Sequence, residues 1–284
     1  MARKALIVLV LLLGVISLGS AQDIQIQRVF TVLPVEGGLQ FDVAGKSYGP
    51  YASREGTPWF SADGKQWAML LRKADGRYAV LVNGQEKAAY KEYNSCMDIS
   101  VNSDGSLWSI RADLPGNNKT RVLRIVDGKA YGNYDQVGDV VYSPVGKGWY
   151  FSAWTGTSKF IIREGKKYGP FQDFRDPTFD AAGKTLGILE LKADGSWVRV
   201  NDREYGPYSA AEIVKTGNGA YLGFLATLKN GSLELTIADK KYGPYTYVDW
   251  GRQYVSADGK DWLVMVFKGA KRILLQNGKE TELG

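Results

Sequence analysis

The segment Ser61-Ala62-Asp63-Gly64-Lys65-Gln66-Trp67 returns almost unchanged as Ser256-Ala257-Asp258-Gly259-Lys260-Asp261-Trp262 near the other end of the chain. Four weaker copies lie between these two, each with a glycine followed three residues later by a large apolar residue. The pairs are Gly105 and Trp108, Gly146 and Trp149, Gly183 and Leu186, and Gly219 and Leu222. Self-similarity at a fixed period is typical of repeat proteins, in which each unit buries its apolar residues against its neighbours.

A second motif, two aromatic residues around Gly-Pro, runs in phase with the first. It is complete as Tyr48-Gly49-Pro50-Tyr51, Tyr168-Gly169-Pro170-Phe171, Tyr205-Gly206-Pro207-Tyr208 and Tyr242-Gly243-Pro244-Tyr245, and degenerate as Tyr90-Lys91-Glu92-Tyr93 and Tyr131-Gly132-Asn133-Tyr134. The leading tyrosines fall at positions 48, 90, 131, 168, 205 and 242. The repeat is therefore about 40 residues long.

Two-residue hairpin turns form a third series. They are Ala44-Gly45, Asn83-Gly84, Asp127-Gly128, Glu164-Gly165, Asn201-Asp202 and Asn277-Gly278. Asn-Gly and Asp-Gly are the preferred hairpin turns because both central residues must take positive φ. The runs between the turns are short and rich in β-branched and aromatic residues, and no helical period is sustained after residue 21.

These turns divide each repeat into four antiparallel strands, and four strands in about 40 residues are typical of a β-propeller blade. The sequence therefore predicts an all-β protein, a β-propeller of four-stranded antiparallel blades that occupies residues 22–284 as a single domain. Six units are complete from about Trp59 to Gly284, and Gln22 to Tyr51 supplies only the last three strands of another. Seven blades are favoured, with an incomplete N-terminal blade that meets the last unit and closes the ring. Six blades with a docked N-terminal hairpin are the alternative.

The turn of the Ser-Ala-Asp-Gly-Lys motif joins the first and second strands of each unit, and we call it the first turn. The large apolar residue after it is predicted to pack between neighbouring blades, because a lone four-stranded sheet would leave both of its faces exposed to water. A fully buried tryptophan covers about 150 to 250 Å² and contributes about 4 to 6 kcal/mol at about 25 cal/mol/Å². We therefore expect a structural role for the repeated glycine and tryptophan positions of this motif, which are Gly64, Trp67, Trp108, Trp149, Gly259 and Trp262.

The N-terminus has the pattern of a secretory signal peptide. Arg3 and Lys4 precede an apolar run that begins at Ala5, and small residues follow at 19–21. Cleavage after Ala21 would remove residues 1–21 and export the rest, which we expect to be soluble, to the periplasm or the extracellular space. An uncleaved membrane anchor is the alternative, although the apolar run is shorter than the roughly 20 residues that span a bilayer.

The composition excludes several classes of site. The chain has no histidine, which rules out His-dependent catalytic triads and His-ligated metal sites. Cys96 is the single cysteine, so no internal disulfide forms, and we expect it to be a small buried apolar residue. The net charge of +6 is not gathered into blocks of like sign, so nucleic-acid binding is not predicted. We predict neither a metal nor a cofactor.

The turn motif resembles that of exported bacterial propellers of the TolB-like and Trp-Asp-like kind, whose blades carry a Ser-Pro-Asp-Gly-Lys turn. The matching segments are Ser61 to Lys65, Ser143 to Lys147 and Ser256 to Lys260. Val145 replaces the Asp, and the unit at Thr216 to Gly219 loses most of the motif. The resemblance implies a propeller that acts as a scaffold for proteins or envelope components, and it implies no catalytic residue. The same segment is also similar to the Asp-box of sialidases, which is a structural turn.

The connections between blades vary most from copy to copy, and variable segments on a rigid frame are where function usually lies. The repeat pattern places these connections at residues 52–58, 94–98, 135–139, 172–177, 209–212 and 246–252. They predict a ligand-binding rim, with ordinary polar surface as the alternative. The candidate residues are Arg54, Asp98, Asp139, Arg175, Asp176, Glu212, Asp249, Trp250 and Arg252.

Two functions compete at this stage. The first is a protein-interaction or scaffold module of the cell envelope, which needs no catalytic residue. The second is a glycan-binding or glycan-active propeller, because glycoside hydrolysis can proceed with two carboxylates about 5 to 9.5 Å apart and without histidine. No spacing in the sequence shows that two carboxylates converge, so an enzyme is not favoured.

Overall fold

A computed structural model describes residues 30–61, 63–116 and 121–284 of the chain. Within these residues, 28 strands form seven antiparallel sheets of mostly four strands, consistent with a seven-bladed β-propeller. The predicted all-β fold class is confirmed. The signal peptide predicted for residues 1–21 lies outside the described residues.

The first four blades follow the chain in order. Blade 1 consists of β1 (Phe30–Val35), β2 (Gly38–Val43) and β3 (Lys46–Tyr51), and blade 2 of β4 (Ser53–Phe60), β5 (Trp67–Arg72), β6 (Tyr78–Val82) and β7 (Gln85–Tyr90). Blade 3 consists of β8 (Ser95–Val101), β9 (Trp108–Leu114), β10 (Arg121–Val126) and β11 (Lys129–Tyr134). Blade 4 consists of β12 (Gln136–Val137), β13 (Val141–Tyr142), β14 (Trp149–Thr155), β15 (Ser158–Arg163) and β16 (Lys166–Phe171).

The last three blades have four strands each. Blade 5 consists of β17 (Asp173–Phe179), β18 (Leu186–Lys192), β19 (Gly195–Val200) and β20 (Arg203–Tyr208), and blade 6 of β21 (Ala210–Lys215), β22 (Tyr221–Thr227), β23 (Leu233–Ile237) and β24 (Lys240–Tyr245). Blade 7 consists of β25 (Tyr247–Val255), β26 (Trp262–Lys268), β27 (Lys271–Gln276) and β28 (Lys279–Leu283). Strands follow one another across each sheet, with β12 and β13 both paired to β14.

Blade 1 is the incomplete blade that the repeats predict. Its order β1-β2-β3 lacks the first strand of the other blades, and β3 carries the Tyr48-Gly49-Pro50-Tyr51 motif of a last strand. Seven blades are therefore favoured over six with a docked hairpin. Between the described residues of blade 1 and blade 7 there is no strand pairing, ion pair or aromatic pair, so closure of the ring stays a prediction.

The strands of a blade differ in burial, which sets their radial order. Second strands are largely buried, as in Trp67 to Leu71, whereas the last strand β28 is exposed throughout. First strands of neighbouring blades, such as β4 and β8, contact each other. The sheets of a propeller surround a central channel, so the first strand of each blade lies nearest the axis and the last strand lies outside.

The Ser-Ala-Asp-Gly-Lys segment is a self-contained turn. In blade 2 the Ser61 hydroxyl donates to Asp63 Oδ1 at 2.6 Å, and that oxygen also accepts the Lys65 backbone N–H at 3.1 Å. Gly64 has a φ of 67°, which an L residue rarely adopts. In the blade 7 copy, the hydroxyl of Ser256 and the backbone N–H of Lys260 lower the pKa of Asp258 to about 2. The repeated letters are therefore explained by local hydrogen bonds.

The hairpin turn between the third and fourth strands of a blade fixes the start of the second strand, where the tryptophan lies. Asn83 has positive φ, as this turn type requires, and its side-chain oxygen accepts the backbone N–H of Trp67 at 2.8 Å. Asn277 accepts the N–H of Trp262 in the same way at 2.7 Å. An asparagine here thus satisfies the turn and the start of the second strand together.

The tryptophans of the repeat pack between blades, and we call them wedges. Trp67, Trp108, Trp149 and Trp262 are 3% to 8% exposed and belong to apolar clusters shared with the preceding blade. Three of these rings meet the leading tyrosine of the preceding blade edge to face, with centroids 5.0 to 5.6 Å apart. A Cβ at Gly84 would lie 2.5 Å from the hydroxyl of Tyr48, so glycine is also required for space at this contact.

One assignment from the repeat pattern is wrong. The first turn of blade 6 is one residue shorter than the others, because the N–H of Thr216 bonds to the carbonyl of Ala220, whereas that of Ser61 bonds to Gln66. Tyr221 therefore occupies the wedge position, with its ring against Gly187 of blade 5. Leu222 falls on a register shift and packs toward blade 7 instead. The repeat pattern predicts Leu222 as the wedge because Leu222 lies three residues after Gly219, the spacing found in the other units.

Replacing Trp67 or Trp262 by Ala is expected to lower the free energy of unfolding by about 3 to 5 kcal/mol, because each change empties a buried space between two blades. Tyr254→Ala is the matched control, since that ring is 55% exposed, and its expected cost is below about 1 kcal/mol. Urea denaturation followed by circular dichroism measures both changes. Equal losses for the wedge and control variants would contradict the packing role.

Candidate functional site

The segments predicted as variable connections are mostly strand, which corrects the sequence interpretation. Blades 1 and 2 are joined by Ala52 alone, and single residues also join several later blades, whereas 91–94 connects blades 2 and 3. Ala52 donates its N–H to the carbonyl of Arg72 at 2.7 Å, so even the connecting residue continues the ladder. The candidate residues therefore lie within the first strands, near the axis, rather than in loops at the rim.

The pairing between the first and second strands is interrupted once in each blade from 2 to 7. The register shifts fall between Glu55 and Trp59, Met97 and Ser100, Arg175 and Thr178, Val214 and Lys215, and Asp249 and Gln253, and blade 4 breaks between β12 and β13. A β-bulge bends its strand and redirects side chains, and bulges are frequent beside functional sites. These interruptions are the irregular part of an otherwise repetitive frame.

Each of these first strands has a carboxylate that lies opposite the fourth residue of the second strand or within one residue of that position. The propeller topology therefore places these groups at one level around the axis. We call them the axial carboxylates, and they are Glu55, Asp98, Asp139, Asp176, Glu212 and Asp249.

Backbone conformation explains part of this acidic pattern. Asp98 and Asp176 have φ values of 55° and 52°, and Gly56 has 72° at the corresponding place in blade 2. Asp, Asn and Gly are the residues that adopt this left-handed region most readily. An aspartate at the bulge therefore needs no ligand to account for it.

Cationic side chains accompany four of the axial carboxylates. The closest N–O distances are 3.4 Å for Arg111 to Asp98, 2.8 Å for Arg124 to Asp139, 3.8 Å for Lys215 to Asp176 and 3.6 Å for Arg252 to Asp249. Glu55 accepts a hydrogen bond from the hydroxyl of Ser53 at 2.8 Å. The axis is thus lined by paired charges of both signs rather than by a purely acidic ring.

The Arg124 guanidinium is buried, although its partner Asp139 has a side chain 90% exposed. Arg124 Nε donates to the carbonyl of Gly138 at 2.8 Å and Nη1 to the carbonyl of Asp98 at 3.4 Å. Burial lowers the pKa of Arg124, while Asp139 and Asp98 raise it. This side chain ties blade 3 to the split strand of blade 4. Its sequence signal, a lone charge within the run 122–126, was missed.

The other candidate residues are described by their positions in the strands. Arg54 and Arg175 immediately precede the bulges of blades 2 and 5, opposite Leu71 and Leu189. The side chain of Trp250 lies outside the described part of the structure. The structure thus brings the predicted residues to one level of the fold, but whether they bind a ligand stays a prediction.

A cavity of about 400 Å³ lies on the opposite side of the propeller from the connections between blades. It is bordered by the first turns of blades 5, 6 and 7 and by the hairpin turns of blades 5 and 6. Its polar lining includes Asp180, Asn201, Arg203, Tyr221, Asp239 and Asp258. Sequence reasoning missed it, because the Ala238–Asp239 hairpin turn that borders it has no glycine and was not identified.

Two other searches returned nothing in the described part of the chain. No group of three or more Asp, Glu or Cys side chains there is arranged to hold a metal ion. Nor does any helix there have the length and apolar character that crossing a bilayer requires.

No protein-family model matches the sequence, and a comparison with curated proteins finds no match. Similar solved structures include dipeptidyl peptidase 4 of Porphyromonas gingivalis, at 10% identity over 87% of this chain and 48% of that one, with a TM-score of 0.39. TolB from Acinetobacter baumannii is 15% identical over 85% and 58%, with a TM-score of 0.28. The Swd1 β-propeller domain of Myceliophteria thermophila is 14% identical over 81% and 86%, with a TM-score of 0.30. These are distant likenesses to propellers, and nothing about function follows from them.

Arg124→Met is expected to lower the free energy of unfolding by about 3 kcal/mol, because it leaves two backbone carbonyls and Asp139 without their donor. Asp139→Asn is the control, since an exposed partner contributes less than about 1 kcal/mol. Chemical denaturation compares the two variants. A cost for Asp139→Asn equal to that for Arg124→Met would show that the ion pair, rather than the carbonyl contacts, carries the effect.

Proposed function

We propose that this chain is an exported β-propeller, of the TolB-like kind that its turn motif resembles, that acts as a protein-interaction or scaffold module of the cell envelope. The pattern of residues 1–21 supports export, and the repeat supports a rigid frame. The observation that carries the proposal is the axial level of the first strands, where each blade from 2 to 7 has a carboxylate beside a neighbour that varies.

The neighbours of the axial carboxylates differ from blade to blade, whereas the turns on the other side repeat. Residues next to the axial carboxylates in the chain include Gly56, Met97, Arg175, Ile213 and Trp250. Mixed charges with apolar and aromatic residues are the composition with which one protein recognises another, since complementary charges give specificity and aromatic groups give affinity. A uniform basic or acidic field would instead favour a highly charged ligand.

Glycoside hydrolysis is less well supported at this level. That reaction uses two carboxylates, one as an acid and one as a base or nucleophile. Asp98, Asp139, Asp176 and Asp249 each have an Arg or Lys within 4 Å, so they do not supply an uncompensated pair. We therefore propose binding rather than catalysis for the axial residues.

The double variant Asp249→Ala with Arg252→Ala is expected to reduce capture of the partner by about tenfold, because the two side chains lie at the axial level on one bulge. The side chains of Arg252 and Asp249 are 65% and 26% exposed, so neither is fully buried, and the melting temperature should change by no more than about 2 to 4 °C. The measurement is a pull-down from envelope extract with the mature protein, run beside a glycan array.

The matched control replaces Lys65 and Lys260, which lie on the repeated first turns, by Ala. These substitutions should leave capture unchanged. A glycan signal without a captured protein would contradict the scaffold role, and so would equal capture by the two double variants.

A further inference from the structure

The junction of blades 5 and 6 departs from the repeat at two coupled positions. At three other junctions, such as that of Trp67 and Tyr48, a wedge tryptophan meets the leading tyrosine of the preceding blade, and a glycine ends the hairpin turn beside it. At this junction the wedge is Tyr221, and the hairpin turn ends in Asp239, which has a φ of 64°. Both changes fall on the wall of the cavity.

The leading tyrosine of blade 5 binds the carboxylate of this turn, as Tyr168 binds Asp202 at the junction of blades 4 and 5. The Tyr205 hydroxyl donates to Asp239 Oδ1 at 2.5 Å, and burial together with this bond raises the pKa of Tyr205 to about 12. The Arg203 guanidinium lies 4.9 Å from the centre of the Tyr205 ring and 4.0 Å from Asp239 Oδ2. No edge-to-face pair joins Tyr205 and Tyr221 among the described residues. Both tyrosines line the cavity.

The cavity has an apolar floor and a polar wall. Val200, Leu222 and Ile237 contribute to the floor. Tyr221 is buried, and its hydroxyl has no hydrogen-bond partner in the described part of the chain. Desolvation is the main cause that raises the pKa of Tyr221, and the nearby carboxylates of Asp239 and Asp180 raise it further. Tyr221 lines the cavity, so its hydroxyl is a hydrogen-bonding group that a ligand there can engage.

We propose that this cavity is a binding site for a small saccharide, one or two rings of a neutral or amino sugar. A volume of about 400 Å³ suits a ligand of that size. Carboxylates accept the hydrogen bonds that sugar hydroxyls donate, Arg203 donates to ring or hydroxyl oxygens, and the floor contacts the C–H groups of the ring. Three carboxylates against one arginine on the wall disfavour an anionic sugar.

This site is independent of the axial residues, so the two proposals can fail separately. Ala181→Trp blocks the cavity from the first turn of blade 5, where Ala181 is half-buried on the lining. Ser103→Trp is the matched control, because Ser103 holds the same turn position in blade 3, away from the cavity. Tyr221→Phe removes the unpartnered hydroxyl alone.

The probes are glucose, N-acetylglucosamine, glucosamine and glucuronate, titrated at millimolar concentrations and followed by ligand-observed NMR. We expect a neutral or amino sugar to bind the wild-type chain and the Ser103→Trp variant, with binding lost in Ala181→Trp and weakened roughly tenfold in Tyr221→Phe. Glucuronate should bind more weakly than glucose.

Two results would overturn the site. The first is failure of every neutral and amino sugar to bind the wild-type chain at these concentrations. The second is unchanged sugar binding in Ala181→Trp or, if that variant does not fold, in Tyr221→Phe. Protein capture in the axial experiment should be the same for Tyr221→Phe and wild type, which separates this inference from the proposed function.

Discussion

The edge-to-face contact between the tryptophan of one blade and the leading tyrosine of the blade before it determines how consecutive sheets are spaced. Trp67 on Tyr48 shows its parts: a glycine gives the tyrosine room, and an asparagine of the hairpin turn fixes the backbone where the tryptophan begins. These residues lie in different strands, yet they serve one contact. A change in any one of them alters the packing of two blades, because interiors are close-packed.

At the junctions of blades 4 and 5 and of blades 5 and 6, the wedge tryptophan and the glycine of the hairpin turn are both absent. At the junction of blades 5 and 6, Tyr221 and Asp239 replace the tryptophan and the glycine together, and Tyr205 gains a carboxylate partner. The junction keeps its apolar cluster around Phe224, so the blades stay packed while their outer part opens into a cavity. Loss of a structural motif at one place thus creates polar concave surface without loss of the fold.

The axial level shows how a backbone requirement and a surface property can arise from the same residue. Bulges in the first strands need residues that tolerate positive φ, and Asp98 and Asp176 meet that need while adding charge near the axis. Their partners come from other strands, as with Arg111 and Lys215. The result is a series of mixed charges at one level of the propeller, and the proposed interaction with a protein rests on it.

The fold class, the blade number and the wedge tryptophans could be predicted from the sequence, because hairpin turns and strand periods are encoded by residues close together in the chain. The contacts between residues of different blades could not be predicted from the sequence. Most connections proved to be single residues, Arg124 reached Asp139 across a blade boundary, and Tyr221 replaced Leu222 as the wedge after a turn shortened by one residue. Only the tertiary structure decided these, since each depends on distances between strands that the order of residues does not specify.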